Sequence, residues 1–555
     1  ATWPPAEAEP LTVEGAYDRL ADAGLLYGPV FQGLRQAWRR GDEVFAEVAL
    51  PEEAVAEAGR FGIHPALLDA GLHSLGLGTS TVGGSGSGST LLPFSWNGVS
   101  LHAAGASTVR VSLAPAGQDT VSVQVVDPAG TPVLSAESLV LRGIGGDLAQ
   151  QSTNSLFTVD WVRIPVTART ETDATIVELV PTGTEDVVAQ AHQAAHEVLA
   201  RLQSWLDEEQ GTLAIVTKFA VGNEVSDLVH APIWGLVRSA QAENPGRFVL
   251  VDLDDTQASR DALATAIECG EPQVVVREGV VHAARFTRAT PSTEEVDWSG
   301  PGTVLMTGGT GVLGRLFARH LVAERGVRDL VLASRSGEQA AGAQELAAEL
   351  RELGAEVRLA ACDLADRDSV AELVSGLSLI GVVHLAGVVE DGIIQSQTPE
   401  RLDKVLRPKV DAVWHLHELT SGLRAFVVFS SISGVVGAAG QGNYSAANAF
   451  LDALMAHRRA AGLPGQSLAW GLWDEASAVS GHLDEADKSR IARGGVLPLM
   501  AAEGTELFDV ASGVDSALVV PMRTDLAALR ALGESLPPIW RTLVPVARRR
   551  AAEAV

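Results

Sequence analysis

The most constraining stretch is residues 303–314, TVLMTGGTGVLG, where an apolar run gives way to a glycine triplet and then to the helical pattern RLFARHL. Gly308, Gly311 and Gly314 are spaced for a tight turn between a buried strand and a helix, as in open α/β sheets that bind dinucleotides. Small residues let a pyrophosphate approach the backbone, and the helix N-terminus behind them offers amides and a positive dipole end. Thr307, Gly309, Thr310 and Leu313 complete this loop. Downstream, DLVLAS, EVRLAAC, GVVHLAG, AFVVFSS, SLAWG and ALVVPM are strand candidates separated by helical patterns. That alternation predicts a doubly wound parallel sheet with helices on both faces.

The rest of the chain divides on pattern. Residues 1–148 alternate apolar and polar residues in short runs such as EVFAEVAL and DTVSVQVVD, which predicts antiparallel sheet, with one apolar helix beginning at HPALLDAGLH. The tract GGSGSGS at 83–89 is too polar and glycine-rich to pack, and a mobile loop is expected there. Residues 156–300 show a second β-α rhythm with no phosphate loop. Residues 301–530 hold the glycine loop, and 531–555 read as an exit linker.

Bulk properties exclude several classes. A chain of 555 residues is too long for one core. A net charge of −28, from 41 basic and 69 acidic residues, argues against nucleic acid as the main partner. No long charge-free apolar run predicts a membrane span, and the start ATWPPAEAEP lacks a signal-peptide pattern, so a cytoplasmic setting inside a longer polypeptide is expected. Cys269 and Cys362 cannot form a disulfide framework and have no metal-ligand spacing around them; no metal is expected.

The second strand of the glycine-loop region ends in Ser334 and Arg335, where an acidic residue selects NAD and a basic one accepts a 2′-phosphate. Arg335 therefore argues for NADPH, against the plainer reading of a surface arginine. Asp363 and Leu364 end the third strand, with the carboxylate placed for the adenine amino group. Ala386 and Gly387 end the fourth and leave room beside the cofactor. The fifth delivers Ser431 to the carboxyl edge of the sheet, and Tyr444 follows in GQGNYSAANAF with Asn448 one turn later on the same face. The plain reading of that stretch is a helix start. As a proton donor, Tyr444 would need a nearby cation, and Lys409 on the preceding long helix is suited to it.

On these motifs, together with KVDAVWHLHEL, FSSISG and AWGLW, residues 301–530 resemble the catalytic subdomain of a ketoreductase from a modular type I polyketide synthase, a relative of short-chain dehydrogenases. The resemblance implies a catalytic set of Ser431, Tyr444, Lys409 and Asn448, with Asn448 where most short-chain dehydrogenases carry the lysine. LFTVDWVRI and APIWGLVRSAQAENPGRFVLVDLD resemble the family's structural subdomain, a shortened Rossmann-like fold without cofactor. YGPVFQGL, HPALLDAGLH and LPFSW resemble the C-terminal half of a polyketide dehydratase, a hotdog fold, with Asp69 as its carboxylate and His73 orienting it. The family's catalytic histidine belongs to the other hotdog, so Asp69 is expected to be a silent remnant here.

The implied activity is NADPH-dependent reduction of a β-ketoacyl chain carried by an acyl carrier protein. Other synthase domains are expected partners, nucleic acid and membrane are not, and the oligomeric state is open. The competing reading is a catalytically silent docking module. Val389-Glu390-Asp391 aligns with a Leu-Asp-Asp signature that marks B-type stereocontrol. Asn443 before the tyrosine agrees, and Val436 stands where the other group carries Trp, whereas Ala439 departs from a frequent proline. A D-configured β-hydroxyl is expected.

Overall fold

The computed structural model describes residues 3–17, 20, 27–77, 91–117, 120–143, 155–180, 186–208, 210–291, 296–474 and 495–544. They fall into two compact units, Ala1–Gln150 and Gln151–Val555. The expected loop at 83–89 lies outside the described residues.

In the first unit, strands β1 (Glu9–Leu11), β2 (Leu34–Arg40), β3 (Glu43–Ala49), β4 (Leu91–Asn97), β5 (Ser100–Leu101), β6 (Thr108–Gly117), β7 (Thr120–Val126) and β8 (Pro132–Gly143) form an antiparallel sheet in the order β1-β2-β3-β6-β7-β8-β4, with β5 beside β8. Period-two alternation turns Val109, Val111 and Leu113 of β6 inward. Helix α1 (Pro65–Leu72) begins with Pro65, and His64 Nδ1 accepts from the Ala66 amide at 3.2 Å. Its Leu67 and Ala70 are fully buried in one core with Val48 and Val111, so the sheet wraps a helix in hotdog fashion.

The second unit holds β9 (Leu156–Arg163), β10 (Thr175–Glu178), α2 (Val187–Glu208), β11 (Leu213–Lys218), α3 (Ala231–Glu243), β12 (Phe248–Leu253), β13 (Gln273–Arg277) and β14 (Val280–Arg288). It continues with β15 (Thr303–Thr307), α4 (Val312–Ala323), β16 (Asp329–Ser334), β17 (Glu356–Ala361), β18 (Leu379–His384), α5 (Pro399–Leu406), α6 (Val410–Leu419), β19 (Ala425–Ser431), α7 (Gly442–Ala460) and β20 (Gln466–Trp470). The strands of both β-α halves lie in one sheet, ordered β10-β11-β12-β13-β14-β9, then strand Leu518–Pro521, then β20-β19-β18-β15-β16-β17. β9 is the seam: it pairs antiparallel with β14 on one side and with Leu518–Pro521 on the other. Burial on both faces explains why the apolar stretches VLM of β15 and LAW of β20 run without alternation inside strands buried throughout.

Two expectations need correction. Lys409 does not lie on one long helix. The chain breaks between α5 and α6 at Arg407-Pro408-Lys409, and Lys409 caps α6; Pro408 supplies no amide to carry a helix through. The segment from 531 is not linker throughout either. Leu536, Ile539, Trp540 and Val544 are buried, and Trp540 packs its ring 4.7 Å from that of Phe286. An aromatic of this size buries enough apolar surface to anchor a segment that its composition marks as an exit.

Candidate active site

The order of the second half of the sheet reverses between β15 and β18, and open α/β sheets bind ligands at such a point. Here β15 ends and the glycine loop turns into α4. Gly308 has φ +69°, and a Cβ on it would sit 2.8 Å from the Ala386 nitrogen; a Cβ on Gly314 would run into the Gly308 carbonyl oxygen. Only glycine fits either position. Gly311 caps α4 without a side chain, leaving the first amides of the helix to a ligand.

A cleft of about 1750 Å³ opens over this loop. Gly308, Thr310, Gly311, Leu313, Gly314, Ser334, Arg335, Asp363, Leu364, Ala386 and Gly387 line it. Thr307 and Gly309 do not. Thr307 is fully buried, its hydroxyl 2.8 Å from His384 Nδ1, and a Cβ on Gly309 would press on Leu332 at 2.7 Å. Arg335 is exposed, and no hydrogen bond or ion pair engages its guanidinium among the described residues. Asp363 accepts from the Ala365 amide at 3.1 Å, which fixes its carboxylate at the rim. A cradle that admits only glycine, bare helix amides and a free arginine together fit a dinucleotide with a 2′-phosphate.

Ser431, Lys409, Tyr444 and Asp391 line the same cleft. Ser431 ends β19, and its Oγ accepts from Ser433 Oγ at 3.0 Å and from the Ser433 amide at 3.2 Å. Tyr444 lies in the first turn of α7, 7% exposed. Lys409 Nζ donates to the Phe429 carbonyl at 2.9 Å and stands 5.7 Å from the centre of the Tyr444 ring. Asn448 is fully buried and does not line the cleft. Its Nδ2 donates to the Tyr444 carbonyl at 2.9 Å, and its Oδ1 has no partner. A buried acceptor left unpaired is costly, so Asn448 Oδ1 is poised for a further donor.

The charges do not behave as the sequence suggested. Lys409 was expected to lower the Tyr444 pKa, but burial raises it, opposed by hydrogen bonding to Asn448 and Ser431. Burial also brings Lys409 down to about 8, with Asp452 opposing. Desolvation is the leading cause for both groups in this state.

Asn443 is fully buried rather than cleft-lining. It donates to the Glu390 carbonyl at 2.8 Å, and its Oδ1 accepts from the Tyr444 amide at 2.7 Å. Gln441 donates to both oxygens of Asp391 at 3.3 and 3.4 Å. The start of α7 thus clamps the segment 389–391.

Asp452 was missed in the sequence. It lies two turns beyond Tyr444 on the face of Asn448, accepts from Ser467 at 2.6 Å, and is pushed up to about 6 by burial, against hydrogen bonds from Ser467 and Ser430 and the charges of Arg238 and Lys409. The run 444, 448, 452 at helical spacing was the available signal. In the first unit, His73 Nε2 lies 3.3 Å from Asp69 Oδ2, and His73 Nδ1 lies 3.4 Å from the Tyr17 hydroxyl. The structure thus brings Asp69 and His73 side by side.

Comparison with known proteins matches three family models: a ketoreductase (KR) domain over residues 302–475, the Rossmann fold domain of polyketide synthase extender module SpnB over 112–286, and a polyketide synthase dehydratase N-terminal domain over 1–151. Polyketide synthase GfsE of Streptomyces halstedii is 49% identical across all of this chain, and GfsA of the same organism 46%. The chain spans only 15% and 8% of their lengths. Among solved structures, the ketoreductase from the first module of phoslactomycin biosynthesis in Streptomyces sp. HK803 is 33% identical, with a TM-score of 0.60 over 70% of this chain and 98% of that one. The first ketoreductase of the tylosin synthase is 30% identical, with a TM-score of 0.61 over 72% and 99%. An A1-type ketoreductase is 30% identical, with a TM-score of 0.62 over 71% and 98%. By sequence and by fold this chain belongs to the modular polyketide synthases, a ketoreductase of the short-chain dehydrogenase type preceded by a dehydratase part.

Proposed function

We propose that this chain reduces a β-ketoacyl thioester, held on the phosphopantetheine arm of an acyl carrier protein, to the D-β-hydroxyacyl thioester with NADPH. The observation that carries the reading is that Ser431, Lys409 and Tyr444 face the same cleft as the glycine loop and Arg335. Gly308, Gly311 and Gly314 would hold the pyrophosphate, Arg335 the 2′-phosphate, Asp363 the adenine, and Ala386 and Gly387 the space beside the nicotinamide. Bound NADPH would supply the hydride for the β-carbon. Ser431 holds the ketone oxygen, and Tyr444 gives that oxygen its proton. The cation of Lys409 stabilises the phenolate that Tyr444 leaves behind, and Asn448, with its unpaired Oδ1, continues the proton path.

The D-configuration rests on Asp391 in the cleft and on the clamp that Gln441 and Asn443 place on its segment. Val436 lines the cleft where a Trp would fill it. Similar solved ketoreductases include an A1-type, so overall likeness does not choose between the groups. We take 1–148 as a C-terminal hotdog on the motif HPALLDAGLH, although the matching family description names an N-terminal dehydratase domain; 156–300 is the structural subdomain and 301–530 the catalytic one. Asp69 and His73 remain silent in dehydration without the other hotdog's histidine. No described helix is long and apolar enough to cross a membrane, and we place the protein in the cytoplasm among the other domains of its synthase.

The test is NADPH oxidation with a β-ketoacyl thioester, followed by chiral chromatography. A D-hydroxyl product is expected. An L-hydroxyl product would refute the stereochemical assignment, and absence of reduction would favour the silent docking module.

A further inference from the structure

On α2, two histidines one turn apart that do not line the cleft, His192 and His196, present their rings to the same carboxylate oxygen. Asp403 Oδ1, on α5, lies 2.6 Å from His192 Nδ1 and 2.7 Å from His196 Nε2. The other nitrogen of His192 lies 2.7 Å from Asp411 Oδ1, in the first turn of α6. One ligating atom from each of His192, His196 and Asp403 falls within 4.8 Å of the other two. We propose that these three residues form a site for a divalent transition metal of the zinc class, with Asp411 as the carboxylate that orients His192.

The argument begins with proton accounting. A neutral imidazole has one N–H, yet both nitrogens of His192 face carboxylate oxygens at hydrogen-bond distance. One of those contacts sets lone pair against lone pair unless a cation intervenes. Either a second proton or a metal ion answers that demand.

A metal meets it with every group in a fitting role. With Nε2–H of His192 given to Asp411, the Nδ1 lone pair is free to ligate, which is the carboxylate–histidine–metal arrangement common at zinc sites. Histidines four apart on a helix share one face and bind one ion. In a tetrahedral site with ligand bonds of about 2.1 Å, ligand atoms stand about 3.4 Å apart. The contacts of His192 and His196 with Asp403, at 2.6 and 2.7 Å, would need to open by roughly 0.7 to 0.8 Å, within side-chain adjustment. His196 and Asp403 keep 30% and 36% of their side-chain surface exposed, so an ion and a completing water have a path in. Nearby positive charge is not spare: Lys404, next to Asp403, pairs with Glu390.

The position gives such a site a consequence. α2 belongs to the structural half, whereas α5 and α6 flank the break that carries Lys409. A bound ion would fasten the first half of the sheet to the joint that sets the catalytic lysine.

The test uses the full chain without a histidine tag, stripped with chelator and titrated with Co²⁺, and separately with Zn²⁺ by calorimetry. One equivalent of Co²⁺ should give the visible absorption of a low-coordinate imidazole site. Asp411→Asn should weaken affinity about 10- to 100-fold. His196→Gln and Asp403→Asn should abolish saturable binding while near-UV circular dichroism stays native. Should one variant fail to fold, the other and Asp411→Asn still decide the matter. Absence of stoichiometric uptake by the wild type would overturn the proposal and leave a protonated His192 clasp, visible as a raised imidazole pKa by NMR. Uptake that the three substitutions leave unchanged would overturn it equally.

Discussion

The two halves of the thirteen-stranded sheet carry the same β-α rhythm and end differently. From β10 to β13 the parallel strands add in chain order, with no reversal among them. From β17 to β20 it reverses beside β15, and there the glycine loop, Arg335 and Tyr444 converge. Rhythm alone builds layers; a reversal furnished with glycines builds a cofactor cleft. The first half has another task. Its α3 packs along α7, where Ser239 Oγ donates to Ser445 Oγ at 2.9 Å and Arg238 donates to the Gly434 carbonyl at 2.6 Å. A Cβ on Gly235 would run into the Ser445 carbonyl, so the helix of Tyr444 is seated directly on the half that lacks a loop.

The sharpest way to break this division of labour is at the proposed proton donor. Tyr444→Phe should cut reduction by about 10²- to 10⁴-fold with NADPH affinity nearly unchanged. Retention of more than about a tenth of the rate would remove Tyr444 from the mechanism. On the bracing side, Gly235→Val should push α7 out of place and lower kcat by about 10²-fold, since a misplacement near 1 Å costs that much. Its NADPH affinity should hold, because the added side chain would meet Ser445 and Ala446 of α7 rather than the glycine loop; parallel loss of both would mean that the halves are not separable. Arg335→Gln should weaken NADPH by about ten- to a hundred-fold and leave NADH alone, as expected for one charge-assisted phosphate contact.

Acidity gives a smaller effect with two signs. Burial brings Lys409 from 10.5 down to about 8, so the folded chain releases this proton before the unfolded one does. Its contribution to stability therefore rises between about pH 8 and 10.5, while kcat/KM falls about tenfold per unit above pH 8 as the cation is lost. A flat rate profile to pH 9.5 would contradict the role of Lys409. Asp69→Asn should change reduction less than about twofold, and the purified chain should form no α,β-unsaturated product. Detection of that product would show that the hotdog unit works alone.

Much of this was legible in advance because local chemistry announces it. The unbroken apolar runs, the glycine triplet and Tyr444 with Asn448 at helical spacing all report on neighbours a few residues away. What escaped reading depends on partners far along the chain. Nothing in LFTVDWVRI says that β9 joins two half-sheets, and VVHAARFTR carries no mark of its antiparallel pairing. Asp452 reads as an ordinary helix carboxylate until Ser467 and Lys409 close over it. Trp540 looks like part of a tail until it meets Phe286. The pair His192 and His196 gains meaning only once α5 brings Asp403 across.

The most direct measurement is the stoichiometry of NADPH binding to the full chain by calorimetry. If the reversal beside β15 makes the only cofactor cleft, the wild type binds one equivalent and Gly314→Val binds none. Two equivalents, or undiminished binding by Gly314→Val, would contradict the account.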